Sequence, residues 1–158
     1  MSKQIVLTSP NAELRRISSE VSLDRVQSSH MQTLAKDLVE TMRLENGIGI
    51  AAPQIGVPER VIVVDVGQNQ PQVFFNPKIV SKSFLSVESE EGCLSVPGVF
   101  GIVKRHLSVT VEALNPKGEK ISFRAEGLMA IVFQHEIDHL DGILFIDKVV
   151  RYTTHPTL

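Results

Sequence analysis

Two histidines four residues apart constrain this chain more than any other feature. His135 and His139 lie in the stretch 134–139, which reads QHEIDH. On an α-helix, residues i and i+4 lie on one face, so the two imidazoles can bind one metal ion, with Glu136 beside them. This is the H-E-x-x-H arrangement, whose glutamate serves as general base for metal-activated water. The sequence therefore predicts a helix that carries a metal site.

An isolated match to this pattern can also be a surface histidine pair beside an acid. Leu128, Ile131 and Val132 precede the histidines at helical spacing, which predicts that the imidazoles lie on a buried apolar face. Buried polar groups need strong partners. Metal binding meets that need, and we favour it over the surface pair.

The composition is that of an ordinary globular chain. The 158 residues include 42% hydrophobic and 22% charged side chains, so we predict a single domain, residues 1–158, with a substantial core. A formal net charge of -2 gives no electrostatic reason to expect binding to nucleic acid or to an anionic membrane. The N-terminus lacks the pattern of a signal or transit peptide, and no apolar run could span a membrane. These features predict a cytoplasmic protein.

The pattern of apolar residues predicts an α+β chain. One helix begins after Ser29 and ends near Asn46-Gly47, and the helix with the histidines begins at Gly127 and ends at Gly142. Alternating or β-branched runs predict strands at residues 61–66, 73–75, 79–80, 109–113, 121–125 and 143–150. Strands followed by a site-bearing helix favour an α+β fold over a doubly wound sheet.

A catalytic metal site usually has a third protein ligand and one open position. The candidates for this ligand are Cys93, Glu88, Glu90, Glu91, Asp138 and Asp141. Cys93 is the only cysteine, so no internal disulfide can form. Its flanking acids are a poor environment for a nucleophilic thiol, whereas a divalent metal deprotonates a bound thiol outright. An inert buried cysteine is the alternative, and spacing alone leaves it open.

Three blocks, in order, resemble the three motifs of peptide deformylases. They are residues 47–54 (GIGIAAPQ), residues 91–95 (EGCLS) and residues 134–139 (QHEIDH). Each block alone is a weak or moderate signal, but all three in this order are highly specific. The resemblance spans most of the chain. It implies an α+β fold in which antiparallel sheets pack around a central helix that carries the H-E-x-x-H motif.

The resemblance also implies the chemistry: hydrolytic removal of the formyl group from N-formylmethionyl nascent peptides, with release of formate. It implies that Cys93, His135 and His139 bind one divalent metal, iron(II) first, with zinc, nickel or cobalt as alternatives. Glu136 is then the general base. The side-chain amide of Gln54 and the backbone N–H of Leu94 are the expected donors to the oxyanion.

Substrate recognition is implied in the same way. The resemblance places Ile48, Gly49 and Ile131 in the pocket for the methionine side chain, with the Gly49 backbone paired to the peptide. Ordinary core packing is the alternative for the two isoleucines. Transient ribosome association is a further expectation, although the short tail after Val150 puts docking through a long C-terminal helix in doubt. Phe100 lies in a predicted loop where some relatives carry a substrate-contacting arginine.

Other polar residues carry weaker expectations. A Glu91–Arg105 pair would hold the cysteine loop, and a solvated surface pair is the commoner outcome. Asp138 is a candidate to orient a histidine, with a solvent-facing acid as the alternative. His30, His106 and His155 lack ligand spacing and are predicted to be ordinary polar histidines.

Two rival functions remain at this level. The first is another metal amidase, a protease or a deacylase for other N-acyl groups. A protease of the H-E-x-x-H type often takes a downstream acid or histidine as its third ligand, and His155 is the only histidine that follows Gly142 here. The second is a degenerate homologue that binds metal or formyl peptide without turnover, although Glu136 and Gln54 are both present.

Overall fold

A computed structural model describes residues 2–154, so His155 and the rest of the tail predicted to end loosely lie outside the described residues. The α-helices are α1 (Leu23–Val26), α2 (Ser29–Leu44) and α3 (Leu128–Leu140). The strands are β1 (Gly49–Ala51), β2 (Val61–Asp65), β3 (Pro71–Lys82), β4 (Ser86–Cys93), β5 (Val96–His106), β6 (Ser108–Leu114), β7 (Lys120–Glu126) and β8 (Val149–Tyr152). Short 3-10 helices cover Ala12–Arg15, Ala52–Ile55 and Phe145–Asp147.

Two antiparallel sheets enclose helix α3. The larger sheet has the order β1-β2-β3-β6-β7, and the smaller has the order β4-β5-β8. Helix α3 contacts strands of both sheets, and its apolar residues pack with the inner faces of β2, β3, β6 and β7. Phe133 contributes to a cluster with Phe74 and Phe123, in which the ring centroids are 5.0–5.5 Å apart. The prediction of an α+β fold around the histidine helix is confirmed.

Helix α2 covers the other face of the larger sheet. The Ser28 side chain accepts a hydrogen bond from the Met31 N–H at 3.2 Å, which caps a helix predicted to begin one residue later. The buried stripe of the helix packs against β1, β2 and β3. Within the described residues, none of the helices is long and apolar enough to cross a membrane.

Strand β3 corrects the prediction of two short strands, at 73–75 and 79–80. It is one strand, and the predicted break at Asn76-Pro77 is a bulge with a register shift between Phe75 and Lys78. Asn76 has a φ of 50°, and its side chain bonds both the N–H and the carbonyl of Val21, at 2.8 and 2.7 Å. These two bonds hold the bulge, so the strand bends without ending.

The predicted bounds of the last strand, residues 143–150, were also wrong. Gly142 adopts a φ of 72° and ends helix α3 as predicted. Phe145 is then buried in a 3-10 turn, capped where the Asp147 carboxylate accepts from the Leu144 N–H at 3.1 Å. Only Val149–Tyr152 forms a strand, β8, which pairs with β5.

No strand was predicted between residues 86 and 106, yet this stretch forms the long hairpin β4–β5. Gly98, Val99 and Phe100, predicted to lie in a loop, are therefore part of strand β5. This hairpin carries Cys93 at the end of β4, where it faces helix α3. The single domain predicted for residues 1–158 remains a prediction.

Candidate active site

The structure brings together the three predicted metal ligands. Helix α3 places the rings of His135 and His139 on one face, with centroids 5.1 Å apart. Cys93 Sγ lies 3.3 Å from His139 Nε2. One donor atom from each of the three residues falls within 4.8 Å of the other two. The group is compact enough for one ion to contact all three side chains.

The turn between β4 and β5 positions the sulfur. A register shift between Glu91 and Cys93 ends the regular ladder, and Cys93 pairs directly with Val96. The Ser95 backbone N–H lies 3.4 Å from Cys93 Sγ, and Gln54 Nε2 lies 3.6 Å from it. N–H donors around the sulfur stabilise negative charge, which suits a thiolate ligand.

A chain of buried polar contacts orients His135. His135 Nδ1 donates to Glu91 Oε1 at 2.8 Å, which leaves Nε2 for the ion. Arg105 grips the Glu91 carboxylate with two bonds of 2.8 and 2.9 Å, and the two side chains are only 2% and 5% exposed. The predicted Glu91–Arg105 pair is therefore present, and its alternative, a solvated surface pair, was wrong. Strand β5 contacts helix α3, where Arg105 also bonds Asp138, so the pair is buried between the smaller sheet and the helix.

Asp138 does not orient a histidine. Its carboxylate accepts from Arg105 Nη1 at 2.6 Å and lies 2.9 Å from Lys148 Nζ. Within the described residues, Asp138 makes no hydrogen bond to His135 or His139 and bonds Arg105 on β5 instead. Glu91 has the role that was predicted for Asp138.

The pKa values of these groups describe a site that favours positive charge. Burial opposes ionisation of Glu91, but the hydrogen bonds from Arg105 and His135 outweigh it and lower the pKa of Glu91 to about 2. Burial also lowers the pKa of His135, but contacts with Cys93 and Glu91 dominate and raise it to about 10. The pKa of His139 is well below its ordinary value because of burial and the nearby His135. A divalent cation supplies the same positive charge without a proton.

The donor set fits a catalytic transition-metal site. One thiolate and two imidazoles are the three protein ligands that leave a fourth position open. Mixed sulfur and nitrogen donors suit zinc, iron, cobalt or nickel better than magnesium or calcium. Within residues 2–154, Cys93, His135 and His139 are also the one group of such side chains that comes close enough to share an ion.

Glu136 and Gln54 flank this group. Glu136 is 4% exposed, its Oε2 has no hydrogen-bond partner among the described residues, and burial raises its pKa to about 7. Gln54 Oε1 accepts from the Ala51 N–H at 2.9 Å, which turns Nε2 towards Cys93 and towards Ser95 Oγ at 3.1 Å. A carboxylate that exchanges protons near neutral pH and an oriented amide donor are thus next to the metal ligands.

A cavity of about 520 Å³ opens onto these groups. The predicted substrate residues Ile48, Gly49 and Ile131 all line it, together with Cys93, His135, Glu136, Gln54 and Leu94. Ile48 is half exposed, so the alternative of plain core packing does not describe it. Leu128, predicted to lie on the buried face of α3, is instead exposed at the cavity rim beside Phe100.

A family model described as Polypeptide deformylase matches residues 3–155. The chain belongs to this family. It is 50% identical over 139 residues to a peptide deformylase of Acetivibrio thermocellus, with 88% of this chain and 79% of the relative covered. A peptide deformylase of Desulforudis audaxviator is 48% identical over 139 residues, with 88% of each chain covered.

Solved deformylase structures share the fold. A class I type b peptide deformylase from Acinetobacter baumannii superimposes with a TM-score of 0.91 at 37% identity, covering 94% of this chain and 100% of that chain. The enzyme from Thermotoga maritima gives a TM-score of 0.89 at 33% identity, covering 94% and 99%. The predictions of family, fold and metal-dependent deformylase function are confirmed. The comparisons give no support to a degenerate homologue or to an amidase for other N-acyl groups.

One positioning residue of this deformylase site, Ser95, was not predicted from the sequence, although it lies in the block 91–95. Arg105 was predicted to hold the cysteine loop together with Glu91, with a solvated surface pair as the commoner outcome. Ser95 is fully buried and accepts the hydrogen bond from Gln54. The available signal for Ser95 was its place as a small polar residue directly after Cys93, the candidate ligand, and Leu94, the candidate donor. No local signal indicated that Arg105 would be buried.

Proposed function

We propose that this deformylase removes the formyl group from peptides that begin with N-formylmethionine. The observation that carries the proposal is the convergence of Cys93, His135 and His139 on one point. Two of these ligands, Cys93 and His135, line a cavity together with Glu136 and Gln54. We propose further that it acts on nascent chains in the cytoplasm, with transient ribosome contact. That setting rests on the family resemblance.

Cys93, His135 and His139 are the proposed ligands of one divalent metal. We propose iron(II) as the native metal, with zinc, nickel or cobalt as alternatives that the same donors accept. When bound, the cation supplies Lewis-acid activation of the attacking water and of the formyl group. The protein contributes a fixed donor geometry, because Glu91 holds His135 and the turn at Ser95 holds Cys93.

Glu136 is the proposed general base and then the general acid. Its carboxylate takes a proton from the attacking water as the new C–O bond forms at the formyl carbon. It then delivers that proton to the amine nitrogen as the C–N bond breaks, which releases formate and a free N-terminus. A burial-raised pKa of about 7 suits a group that must both accept and return a proton.

Gln54 and Leu94 are the proposed donors to the developing oxyanion. Gln54 Nε2 is already directed towards the sulfur by the bonds that the amide makes with Ala51 and Ser95. The Leu94 backbone lies in the turn directly after Cys93 and lines the same cavity. Donors that are oriented before the reaction need no reorganisation as charge develops.

The methionine end of the substrate is proposed to lie against Ile48, Gly49 and Ile131. Strand β1 is an edge of the larger sheet, so its free side can pair with an extended peptide. The exposed apolar rim formed by Ile48, Leu128 and Phe100 adds surface for an apolar side chain. The cavity volume is typical of small-molecule and peptide-end sites.

The test is formate release under anaerobic conditions from iron-loaded protein, because oxidation of iron(II) or the thiolate would remove activity for unrelated reasons. We expect wild type to release formate from formyl-methionyl peptides and to leave acetyl-methionyl peptides intact. Glu136→Ala should reduce turnover by about 10²–10⁴-fold at unchanged metal content. A Glu136→Ala variant as fast as wild type would contradict the base assignment.

A further inference from the structure

The backbone conformation at residue 49 does not require a glycine. Gly49 begins strand β1, pairs with Val64 on β2 and does not adopt a positive φ, unlike Gly56 and Gly142. Glycine inside a strand is unfavourable because it lacks a side chain to pack and loses more conformational freedom on folding. A steric reason at this position is therefore needed.

Glu136 supplies that reason. A Cβ at position 49 would lie 2.5 Å from Glu136 Oε1 and 2.9 Å from both Cδ and Cγ. All three of the nearest atoms belong to this one side chain, and each distance is shorter than atoms in contact tolerate. At Gly47, in contrast, the nearest atom to an added Cβ is the flexible end of Leu94, at 3.2 Å.

The Glu136 carboxylate depends on packing for its position. Its Oε2 is buried and makes no hydrogen bond to the residues that the structure describes. His135, one residue earlier on α3, is in contrast fixed by Glu91. With no such bond on Glu136 Oε2, the backbone of β1 acts as the wall that determines where the carboxylate lies.

We propose that Gly49 is a positioning residue for catalysis, which acts by leaving open the space that the Glu136 carboxylate occupies. This inference rests on the proposed role of Glu136 as the general base. Any side chain at position 49 displaces the carboxylate from the metal-facing side of the cavity. The effect is separate from pairing between the Gly49 backbone and a peptide, because it exists in the free enzyme.

A double-mutant cycle between Gly49→Ala and Glu136→Ala tests the proposal, with thermal unfolding of metal-loaded protein as the readout. Gly49→Ala should lower the melting temperature by on the order of 5 °C in wild type, because overpacking is destabilising. The same change should not lower the melting temperature in Glu136→Ala, where the atoms it meets are gone. Glu136→Gln is the matched control, since it keeps the size of the side chain and should keep the loss.

An equal loss in all three backgrounds would overturn the inference. If Gly49→Ala alone yields no folded protein, recovery of folded protein by the second change Glu136→Ala supports the inference, and no recovery overturns it. In protein that keeps Glu136, Gly49→Ala should also lower kcat by about 10²-fold at unchanged metal content. An unchanged kcat contradicts the positioning role. Full activity of Glu136→Ala would instead refute the base assignment, while the melting temperatures would still report the steric contact.

Discussion

The two sides of the metal-facing cavity are held in different ways. On the ligand side, His135 is bonded to Glu91, Glu91 to Arg105, and Arg105 to Asp138, with every contact between 2.6 and 2.9 Å. On the substrate side, the Glu136 Oε2 is buried without a hydrogen-bond partner in the described chain. Adjacent residues on one helix thus have opposite surroundings.

The difference between His135 and Glu136 follows the work that each residue must do; it does not extend to the ligand His139, whose Nδ1 is also buried without a partner among the described residues. A metal ligand keeps one position throughout a reaction, so satisfied and buried polar contacts around His135 are an advantage. A general base must exchange its proton with substrate and water, so permanent partners would compete with the reaction. Packing against Gly49 positions Glu136 without occupying its oxygens.

The largest effect is expected from breaking the ligand side at Arg105. Arg105→Leu leaves Glu91 and Asp138 without their central cation in a buried setting, which costs about 3–5 kcal/mol of unfolding free energy. Thermal unfolding should show a drop on the order of 10 °C. Stability within 1 kcal/mol of wild type by chemical denaturation would show that the ion pairs do not organise this side.

Gln54→Ala should break the substrate side and leave metal binding in place, because the Ser95 N–H still donates to Cys93 Sγ. Loss of one oxyanion donor typically reduces kcat by about 10²–10³-fold, or about 2.7–4 kcal/mol of transition-state stabilisation. Steady-state formate release measures the effect, and metal content should equal that of wild type. Ser95→Ala should reduce kcat by less than Gln54→Ala does, because it removes the hydrogen-bond partner of Gln54 Nε2 but keeps the amide itself. If Gln54→Ala lost metal, the ligand side and the substrate side of the cavity could not be independent of each other.

Glu91→Gln should weaken metal binding while the protein still folds. Removal of the charge on the partner of a ligand histidine typically reduces metal affinity by about 10–100-fold. Glu88→Gln is the matched control on the same strand, because Glu88 is exposed and, among residues 2–154, forms an ion pair with Arg151 alone. Competition with a chelator measures both variants. Equal affinity in the two would mean that Glu91 is structural and does not tune His135.

The histidine helix and the β6–β7 hairpin could be predicted because their signals are local. His135 and His139 are four residues apart, so helical geometry alone brings them together. In the hairpin, apolar residues alternate along both strands, and the inward positions Val109, Val111 and Ala113 are buried as that pattern requires. Neither element needs information from distant parts of the chain.

The β4–β5 hairpin could not be predicted, because two of the three inward positions on β4 are polar. Val87, Ser89 and Glu91 face one side of β4, and only Glu91 is fully buried. A period-two apolar pattern is therefore missing, although the strand is long. The burial of Arg105 depends on partners from β4 and α3, which the fold alone brings close. Cys93 could accordingly be assigned to the metal only through the family resemblance.

The smallest effect is expected at an exposed ion pair, which serves as a surface counterpart of Arg105. Asp147 bonds Arg15 at 2.5 and 3.0 Å, but the two side chains are 39% and 43% exposed. Asp147→Asn should therefore cost less than about 1 kcal/mol at pH 7. The hydrogen bond from Arg15 is the main cause that lowers the pKa of Asp147 below its ordinary value of 3.8.

The sign of the pH dependence follows from that shift. A carboxyl whose pKa is lower in the folded state binds fewer protons when folded, so its stabilisation is complete above pH 3.8 and is lost as pH falls through the lower folded value. The stability gap between wild type and Asp147→Asn should thus be constant at neutral pH and close only in strong acid, as measured by denaturant unfolding at several pH values. A gap at pH 7 as large as that of Arg105→Leu would show that burial does not separate the two kinds of ion pair.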